Sequence, residues 1–298
     1  MRLTLRQLEI FVAVARAGST IAAAERIALS QSATSAALNE LESLLGTQLF
    51  NRVGGRLILN EHGRSMLARA RLALDAAQGI ERDFGGEDGA PAPQLAIAAS
   101  TTTGNYVLPK LIAAYRRRED ARFALEIGNT QRVARAVVTF EADLGFIEGP
   151  TTEQELELVP WMKDELVVVC SPRHPLARAR RKLSFADLGE ATWLLREPGS
   201  GTREVVEAAL LPRLHRLQTA VDLGSAEAIK QAAAEGLGIT CLSRFTVADQ
   251  VKLGRLVVLR TALPKLQRTF YLVRHERRFV TPTLQRFLDF CLAYPRRK

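Results

Sequence analysis

The feature that most constrains this chain is a change of hydrophobic period partway along it. Before residue 85, apolar residues recur every three or four positions, as in amphipathic helices. After residue 93, short apolar runs typical of strands alternate with helical stretches. The segment 85–93 between them holds three Gly, two Pro and two acidic residues, a composition typical of a linker. The sequence therefore predicts a helical N-terminal part, a hinge and an α/β C-terminal part.

Length and composition limit the class of protein. A chain of 298 residues has room for two or three domains, and 47% apolar with 24% charged residues is typical of a globular protein with a core. Apolar runs such as Leu166–Cys170 are too short to span a membrane. Glu9 and Arg16 flank the apolar run Ile10–Ala15 and argue against a signal peptide. We expect a cytoplasmic protein with three buried free thiols, Cys170, Cys241 and Cys291.

The positive charge is unevenly distributed. The net charge is +9, and residues 265–298 carry nine basic and two acidic side chains, whereas residues 1–84 carry ten and eight. A basic chain favours an anionic partner such as nucleic acid, although solubility alone also explains it. A second basic stretch precedes Leu183, and a solvated loop explains it more simply than a DNA contact: Arg173, Arg178, Arg180, Arg181 and Lys182.

Residues 1–60 predict three short helices and a hairpin. The first helix ends at Gly18, and Ser19 or Thr20 can cap the second, over Ile21–Ile27. Ser30 can cap a third helix over Gln31–Leu45, which has a polar outer face. A hairpin over Arg52–Asn60 turns at a Gly-Gly pair. The predicted buried stripe of the third helix is Thr34, Ala37, Leu38, Leu41 and Leu45.

A longer helix follows over residues 60–84, with Asn60 as its N-cap. Its small and apolar residues step by four and three, which is the spacing of a coiled-coil seam. We expect this seam to pair with a second helix, although it could instead pack on the protein's own core. The predicted dimerisation residues are Met66, Ala70, Ala73, Ala77 and Ile80, with Phe84 continuing the seam.

A short helix, a tight turn and a helix with a polar outer face have the form of a helix-turn-helix reader, although other three-helix units share it. Four motifs in this order resemble the LysR-type transcriptional regulators: AAAER at 22–26, LSQSATS at 29–35, LESLLG at 41–46 and LFNR at 49–52. The resemblance implies a winged helix-turn-helix (1–60), a dimerising linker helix (61–84), a hinge (85–93) and an effector-binding domain (94–298). Ser32 stands where the family commonly has Pro, and Asn60 where it has Thr.

The same resemblance implies which residues contact DNA. Five side chains fall where family members meet the major groove, and two arginines fall at the wing, where they can reach phosphate or the minor groove. A solvated loop charge is the alternative for Arg52. These residues are Ser30, Gln31, Ser32, Thr34, Ser35, Arg52 and Arg56.

The C-terminal part predicts parallel α/β sheets whose strands run into turns rich in Ser, Thr and Gly. Helix N-termini at such turns can hold small anions, although Ser and Thr are also ordinary caps there. The expected strands are 94–99, 123–127, 143–147, 165–170, 191–195, 220–223, 238–242 and 269–273. The expected helices run from the first strand through Arg118 and over 131–140, 203–211, 226–235 and 283–293.

This part resembles the effector domain of the family, which is similar to periplasmic solute-binding proteins. The resemblance implies lobe I (94–162 and 266–298) and lobe II (163–265), with an effector between them. It is strongest with the branch that regulates sulfur and cysteine assimilation and carbon-fixation operons. Its neutral donors suit a small inorganic oxyanion or carboxylate. The implied effector-binding residues are Ser100, Thr101, Thr102, Asn129, Thr130 and Thr202.

Signals for other chemistry are missing from the sequence. The four His residues lack metal-ligand spacing, and no nucleophile elbow or phosphate-binding glycine loop is present. We therefore expect no metal, no cofactor, no membrane partner and no enzymatic activity. The first hypothesis is a homo-oligomeric regulator, a tetramer of paired dimers by resemblance, that binds double-stranded promoter or operator DNA. A solute carrier and an enzyme using the cleft are the rival hypotheses.

Overall fold

The computed structural model describes residues 3–84, 94–179, 181–214 and 217–294. They divide into two compact units, one built on the N-terminal helices and one on most of the residues from 94 onward. The predicted hinge at 85–93 lies outside the described residues. The elements of the first unit are α1 (Leu5–Ala17), α2 (Thr20–Arg26), α3 (Gln31–Leu45), β1 (Phe50–Val53), β2 (Arg56–Leu59) and α4 (Glu61–Phe84).

The helix ends of the first unit follow the predicted capping residues. Gly18 and Gly46 end α1 and α3 at φ 66° and 67°, a conformation that glycine adopts without strain. The Ser30 hydroxyl accepts the Ala33 N–H at 3.1 Å, and the Asn60 amide oxygen accepts the Gly63 N–H at 2.9 Å. The α2 cap differs, because Ser19 has extended backbone geometry but makes no side-chain capping bond. Local chemistry therefore sets most boundaries of this unit.

The helices of the first unit pack around Phe11, Leu41 and Leu49, which are almost fully buried. The wing, β1 and β2, is a two-stranded antiparallel hairpin, and its Leu57 N–H donates to the Gly18 carbonyl at 2.8 Å. One prediction for the α3 stripe is wrong, because Leu45 is 42% exposed. Leu45 is the last residue of α3, directly before the Gly46 cap.

The second unit contains a seven-stranded sheet and a separate two-stranded one. The large sheet has the strand order β10-β6-β11-β5-β3-β4, with β9 also paired to β6, and β7 pairs with β8. The strands of the two sheets are β3 (Gln94–Ser100), β4 (Arg122–Gly128), β5 (Leu144–Ile147), β6 (Leu156–Cys170), β7 (Thr192–Arg196), β8 (Gln218–Leu223), β9 (Thr240–Ser243), β10 (Val257–Val258) and β11 (Leu266–His275).

Helices connect these strands, and one of them opens irregularly. The helix predicted after β3 begins as a π-helical turn over Thr103–Val107, continues as α5 and ends at Tyr115. The helices are α5 (Leu108–Tyr115), α6 (Thr130–Val138), α7 (Pro175–Arg178), α8 (Phe185–Glu190), α9 (Gly201–Leu214), α10 (Ala226–Ala234), α11 (Arg244–Lys252) and α12 (Pro282–Ala293).

The prediction of purely parallel sheets is only partly right. β3 pairs in parallel with β4 and β5, and β7 with β8, but β6 and β11 run antiparallel along Leu156–Leu166 and Leu266–His275. The predicted strand at 165–170 is the end of the 15-residue β6. Pro160 and charged residues interrupt the apolar run of its first half, which hid it from the periodicity. These two long strands place Asp164 and Arg268 side by side.

Candidate functional site

The structure brings the predicted effector-binding residues together at strand ends and helix starts. Ser100 ends β3, and its hydroxyl lies 3.5 Å from that of Thr130, the first residue of α6. The Thr101 hydroxyl accepts a hydrogen bond from Arg196 Nη2 at 3.3 Å. The Asn129 side-chain amide reaches the Pro198 carbonyl at 3.5 Å. We call this region the cleft cluster, formed by the six predicted residues together with Arg268, Glu148, Asp164 and Arg196.

The buried guanidinium of Arg268 lies at the centre of the cleft cluster. It donates to Glu148 Oε2 at 2.7 Å and to Asp164 Oδ2 at 2.8 Å. It also donates to the Thr202 hydroxyl at 2.8 Å and to the Thr102 hydroxyl at 3.2 Å. The Arg268 side chain is only 2% exposed. Four of its five N–H directions are therefore directed at residues of the protein itself.

Two buried carboxylates complete the centre. Burial alone would raise the pKa of Glu148, but Arg268 and the Thr102 N–H, at 2.6 Å, hold that pKa below its ordinary value. Burial raises the pKa of Asp164 despite its bonds to Arg268 and to the Ser243 hydroxyl at 2.7 Å. The guanidinium of Arg268 pairs with both Glu148 and Asp164, and that of the buried Arg196 pairs with Glu197 at 2.8 Å. Excess positive charge at the cleft is therefore small.

The hydroxyl protons of the cleft cluster are not equally available. Ser100 donates to the Phe146 carbonyl at 3.0 Å and Thr101 to the Gly128 carbonyl at 3.2 Å. Thr202 donates to Glu148 Oε2 at 3.1 Å, because a carboxylate accepts only. Thr102, in contrast, accepts from Arg268, and its hydroxyl also helps to lower the pKa of the Glu148 carboxylate. The Thr102 hydroxyl therefore lies between the buried guanidinium and the buried carboxylate of the cluster.

The N-terminus of α9 adds backbone donors. Gly201 begins this helix so close to the opposite wall that a Cβ atom there would lie 2.3 Å from the Glu148 carbonyl oxygen. The hydroxyl of neighbouring Ser200, which is buried, makes no hydrogen bond to the described residues. The first N–H groups of a helix lack internal partners and carry partial positive charge. The close approach of Gly201 thus places these donors against the Glu148 end of β5.

Sequence reasoning missed four charged members of the cluster: Arg196, Glu148, Asp164 and Arg268. Glu148 directly follows the fully buried β5, so a charge at the end of an apolar strand was a usable signal. Arg268 and Asp164 lie inside strands among alternating residues, where a charge normally indicates a solvent-facing position. Only the pairing of β6 with β11 brings them together.

The predicted DNA-contact residues form an exposed surface at the start of α3, with one exception. Gln31 and Ser32 are exposed, and Ser35 is half-buried. The Ser30 hydroxyl caps the helix and lies 3.0 Å from that of Ser32. Thr34 is fully buried, and its hydroxyl donates to the Ser30 carbonyl at 3.0 Å. In the single chain, the Thr34 side chain therefore belongs to the core and supports the cap rather than the exposed surface of α3.

The two wing arginines remain available for contact. Arg52 and Arg56 lie on β1 and β2, and both are exposed. Neither forms an ion pair or side-chain hydrogen bond with the residues that the structure describes. The basic stretch at 173–182 differs, because Arg181 pairs through both nitrogens with Asp187 at 2.6 Å and lowers the pKa of that carboxyl. Arg180 lies outside the described residues.

The predicted dimerisation residues lie along α4 but do not share one environment. Met66 and Ala77 are half-buried, and Ala73 and Ile80 are exposed. Ala70 is 2% exposed and packs in the core of its own unit. A cavity of about 530 Å³ opens beside this helix, between its N-terminal half and the end of α3. Its apolar lining includes Leu8, Leu45, Leu49, Met66, Ala70 and Ala73.

The remaining features to consider in the described part of the chain are metal-binding groups, reactive thiols and membrane-spanning helices. No group of three or more His, Cys, Asp or Glu residues there could hold a metal ion. Burial raises the pKa of the Cys170 thiol to about 11 and that of the Cys241 thiol to about 12, which makes both poor nucleophiles. Among the helices that the structure describes, none is both long and apolar enough to cross a membrane.

Comparison with known families matches both parts of the chain. Residues 5–64 match the bacterial regulatory helix-turn-helix protein family of LysR, and residues 88–296 match the LysR substrate binding domain. The chain is 47% identical to the uncharacterized HTH-type transcriptional regulator YeiE of Escherichia coli K12, over 98% of both chains. It is 33% identical to the RuBisCO operon transcriptional regulator of Allochromatium vinosum, over 98% of this chain and 97% of that one.

Solved structures agree with this match. A full-length OxyR variant of Pseudomonas aeruginosa is 26% identical and superposes with a TM-score of 0.78, covering 98% of this chain and 95% of that chain. The regulatory domain of CcmR from Synechocystis PCC6803, in complex with 2-PG, is 29% identical with a TM-score of 0.62. The match covers 68% of this chain and 97% of the CcmR chain.

Proposed function

The chain belongs to the LysR family of DNA-binding transcriptional regulators, which are not enzymes, and on that premise we propose how this member works. A homotetramer built from two dimers reads an interrupted inverted repeat in promoter DNA. A small anion, an oxyanion or a carboxylate, binds at the cleft cluster and favours one arrangement of the paired DNA-binding units. The effector acts through its difference in affinity for the two arrangements. The proposed location is the cytoplasm.

The observation that carries the effector proposal is the buried Thr102 hydroxyl, which shares the Arg268 guanidinium with Thr202 at the N-terminus of α9. Together with the Ser200 hydroxyl and the first N–H groups of α9, it provides neutral donors near this helix end. Because the buried charges of the cluster largely balance, hydrogen bonds rather than excess charge would select the ligand. The CcmR regulatory domain, solved in complex with 2-PG, supports a small-molecule ligand in this domain.

The DNA-binding proposal rests on the exposed start of α3 and on the wing. Gln31, Ser32 and Ser35 present short neutral groups that can reach base edges in a major groove. Arg52 and Arg56 are exposed guanidinium groups suited to phosphate. Residues 1–60 and 61–84 serve in this proposal as DNA reader and linker helix. Residues 94–298 serve as the effector-binding part, with the lobe boundaries given above.

For dimerisation, we propose that the α4 helix of a second copy fills the cavity beside α4. The cavity is apolar, and Leu45 and Ala73, both exposed in the single chain, line it. A helix that presents small residues at heptad spacing is a suitable occupant, since small side chains permit close packing. In this arrangement Ala70 packs in the core of its own unit rather than between the two α4 helices.

The test uses DNase footprinting of the full-length protein on the DNA upstream of its own gene. Sulfate, sulfite, thiosulfate, phosphate, O-acetylserine, 2-PG and simple carboxylates are titrated in turn. We expect one compound to change the length of the protected inverted repeat. Thr102→Val should raise the concentration needed for that change at least about tenfold, the loss expected for one buried hydrogen bond.

Thr246→Val is the matched control, because the Thr246 hydroxyl is buried on α11, outside the cleft cluster, and makes no hydrogen bond in the described part of the chain. It should leave the dose response within about twofold, since no ligand contact is lost. An unchanged response in Thr102→Val would place the effector elsewhere. No sequence-specific footprint at all would overturn the DNA-reading proposal.

A further inference from the structure

A second cavity in the effector-binding unit is lined by none of the residues predicted to bind an effector. Its volume is about 420 Å³, within the range of small-molecule sites. The wall comes from the π-helical turn, α5, β6 and α11, so several parts of the fold contribute. The lining residues used below are Tyr106, Lys110, Lys163, Arg244, Phe245 and Ala248.

The larger part of this wall is apolar. The ring of Phe245, the ring of Tyr106 and the methyl group of Ala248 all face the space. Phe245 is backed by the buried ring of Phe270, with centroids 6.3 Å apart. Flat aromatic walls of this kind favour a flat or bulky apolar ligand body.

The charges around the cavity do not cancel. The two acidic residues that line it are already paired, Asp164 with Arg268 at 2.8 Å and Glu165 with Arg244 at 2.9 Å. Lys110 and Lys163 are exposed, and neither makes an ion pair or hydrogen bond with any residue that the structure describes. Two ammonium groups without counterions therefore border an aromatic space.

The wall is also held in position. The Tyr106 hydroxyl donates to Glu227 Oε2 at 3.0 Å and accepts from Lys230 Nζ at 3.3 Å, which fixes the ring from α10. Glu165 holds Arg244 at the opposite side. A preorganised wall lowers the cost of ordering side chains when a ligand binds.

We propose that this cavity is a second small-molecule site, which shares only Asp164 with the cleft cluster, and that it binds an aromatic carboxylate. The carboxylate lies between Lys110 and Lys163, and the ring packs against Phe245 and Tyr106. An aliphatic dianion would leave the aromatic wall uncovered, and a neutral aromatic would leave both ammonium groups without a counterion.

The experiment is a fluorine NMR titration of the full-length protein with para-fluorobenzoate. The probes para-fluorobenzyl alcohol and para-fluorobenzylamine have the same ring but neutral and positive head groups. We expect saturable binding of the carboxylate, at least about tenfold tighter than that of the alcohol, and no measurable binding of the amine. Raising the ionic strength should weaken the binding of the carboxylate and leave the binding of the alcohol unchanged.

Variants locate the site. Lys110→Met and Lys163→Met keep the side-chain length and should each weaken para-fluorobenzoate binding roughly threefold or more. Lys252→Met, at the exposed end of the same α11 helix but outside the cavity, should leave it unchanged. Thr102→Val should also leave it unchanged. The proposal would be overturned if the alcohol bound as tightly as the carboxylate, or if neither lysine variant weakened para-fluorobenzoate binding. It would also be overturned if Thr102→Val abolished that binding.

Discussion

Two hydroxyl-rich regions of this molecule use the same residue types in opposite ways. At the start of α3, Ser32 and Ser35 lie at or near the surface of a helix. In the cleft cluster, Thr102 and Thr202 are 1% and 2% exposed and contact a buried guanidinium. The first region offers hydrogen bonds to a partner arriving from water. The second uses most of its hydrogen bonds to stabilise its own buried charges, so only selected groups remain for a ligand.

The difference teaches that residue type alone does not identify a binding group. Whether a hydroxyl can donate to a partner molecule depends on the hydrogen bonds that it already makes within the fold. Those bonds also decide whether a substitution changes stability or recognition. The cleft cluster should therefore respond to mutation mainly through stability, and the α3 surface through affinity. Both tryptophans of the chain, Trp161 and Trp193, lie in the second unit, so their fluorescence follows unfolding of that unit alone.

The largest expected effect comes from Arg268→Met. Removing the guanidinium leaves Glu148 and Asp164 buried without their cation, which typically costs about 3–5 kcal/mol. Urea unfolding followed by tryptophan fluorescence measures the loss. Arg244→Met removes an exposed ion pair with Glu165 and should cost less than about 1 kcal/mol. Similar losses in the two variants would contradict a central role for Arg268.

A smaller effect is expected for Glu148→Gln, about 1–3 kcal/mol, because the amide has only one accepting oxygen, so its NH2 group would face either the Thr102 N–H or the Arg268 and Thr202 donors. The pKa of Glu148 is lowered by folding, so its carboxylate stabilises the fold at neutral pH and loses that effect as pH falls through the folded pKa. The stability gap between wild type and Glu148→Gln should therefore narrow in acid. A gap that stays constant down to about pH 3 would show that the charge does not matter.

At the α3 surface, Ser35→Ala and Thr34→Val should separate recognition from stability. Ser35→Ala should lower the preference for specific over random DNA about tenfold, by the loss of one base-edge contact. Thr34→Val removes a buried bond to the Ser30 carbonyl and should cost about 1 kcal/mol of stability while leaving that preference intact. Fluorescence anisotropy on both DNAs and circular dichroism measure the two effects. An equal loss of specific and random binding in Ser35→Ala would exclude a reading role.

The smallest effect is expected for Arg52→Ala in the wing. An exposed guanidinium that contacts phosphate should weaken specific and random DNA binding alike, by a few-fold, and reduce the slope of log affinity against log salt by about 1. The measurement is anisotropy at several salt concentrations. If the slope does not change, Arg52 is a solvated loop charge.

Local chemistry made much of the fold predictable. Gly18, Ser30, Gly46 and Asn60 act at their helix ends as their residue types indicate, and the hairpin turns at its Gly-Gly pair. Thr34 is instructive, because the helical period placed it in the buried stripe while the family resemblance placed it at the DNA. The structure supports the helical period, since Thr34 is fully buried in the single chain.

The charged centre of the cleft could not be predicted in the same way. The sequence pattern placed Ser100, Thr102 and Thr202 in strand-to-helix turns, and the family resemblance implied that they bind the effector. Arg268 and Asp164 meet only because two long strands, distant in sequence, pair in one antiparallel register. Nothing local in either strand specifies that register.

The most direct test of the proposed mechanism is the footprint titration repeated with wild type, Thr102→Val and Thr246→Val on one upstream DNA. We expect a protected inverted repeat in all three proteins, and its length should change with one small anion in wild type and Thr246→Val but not in Thr102→Val at the same concentration. A protected repeat that changes equally in all three proteins would contradict the proposed cleft. Protection without sequence preference would contradict the regulator itself.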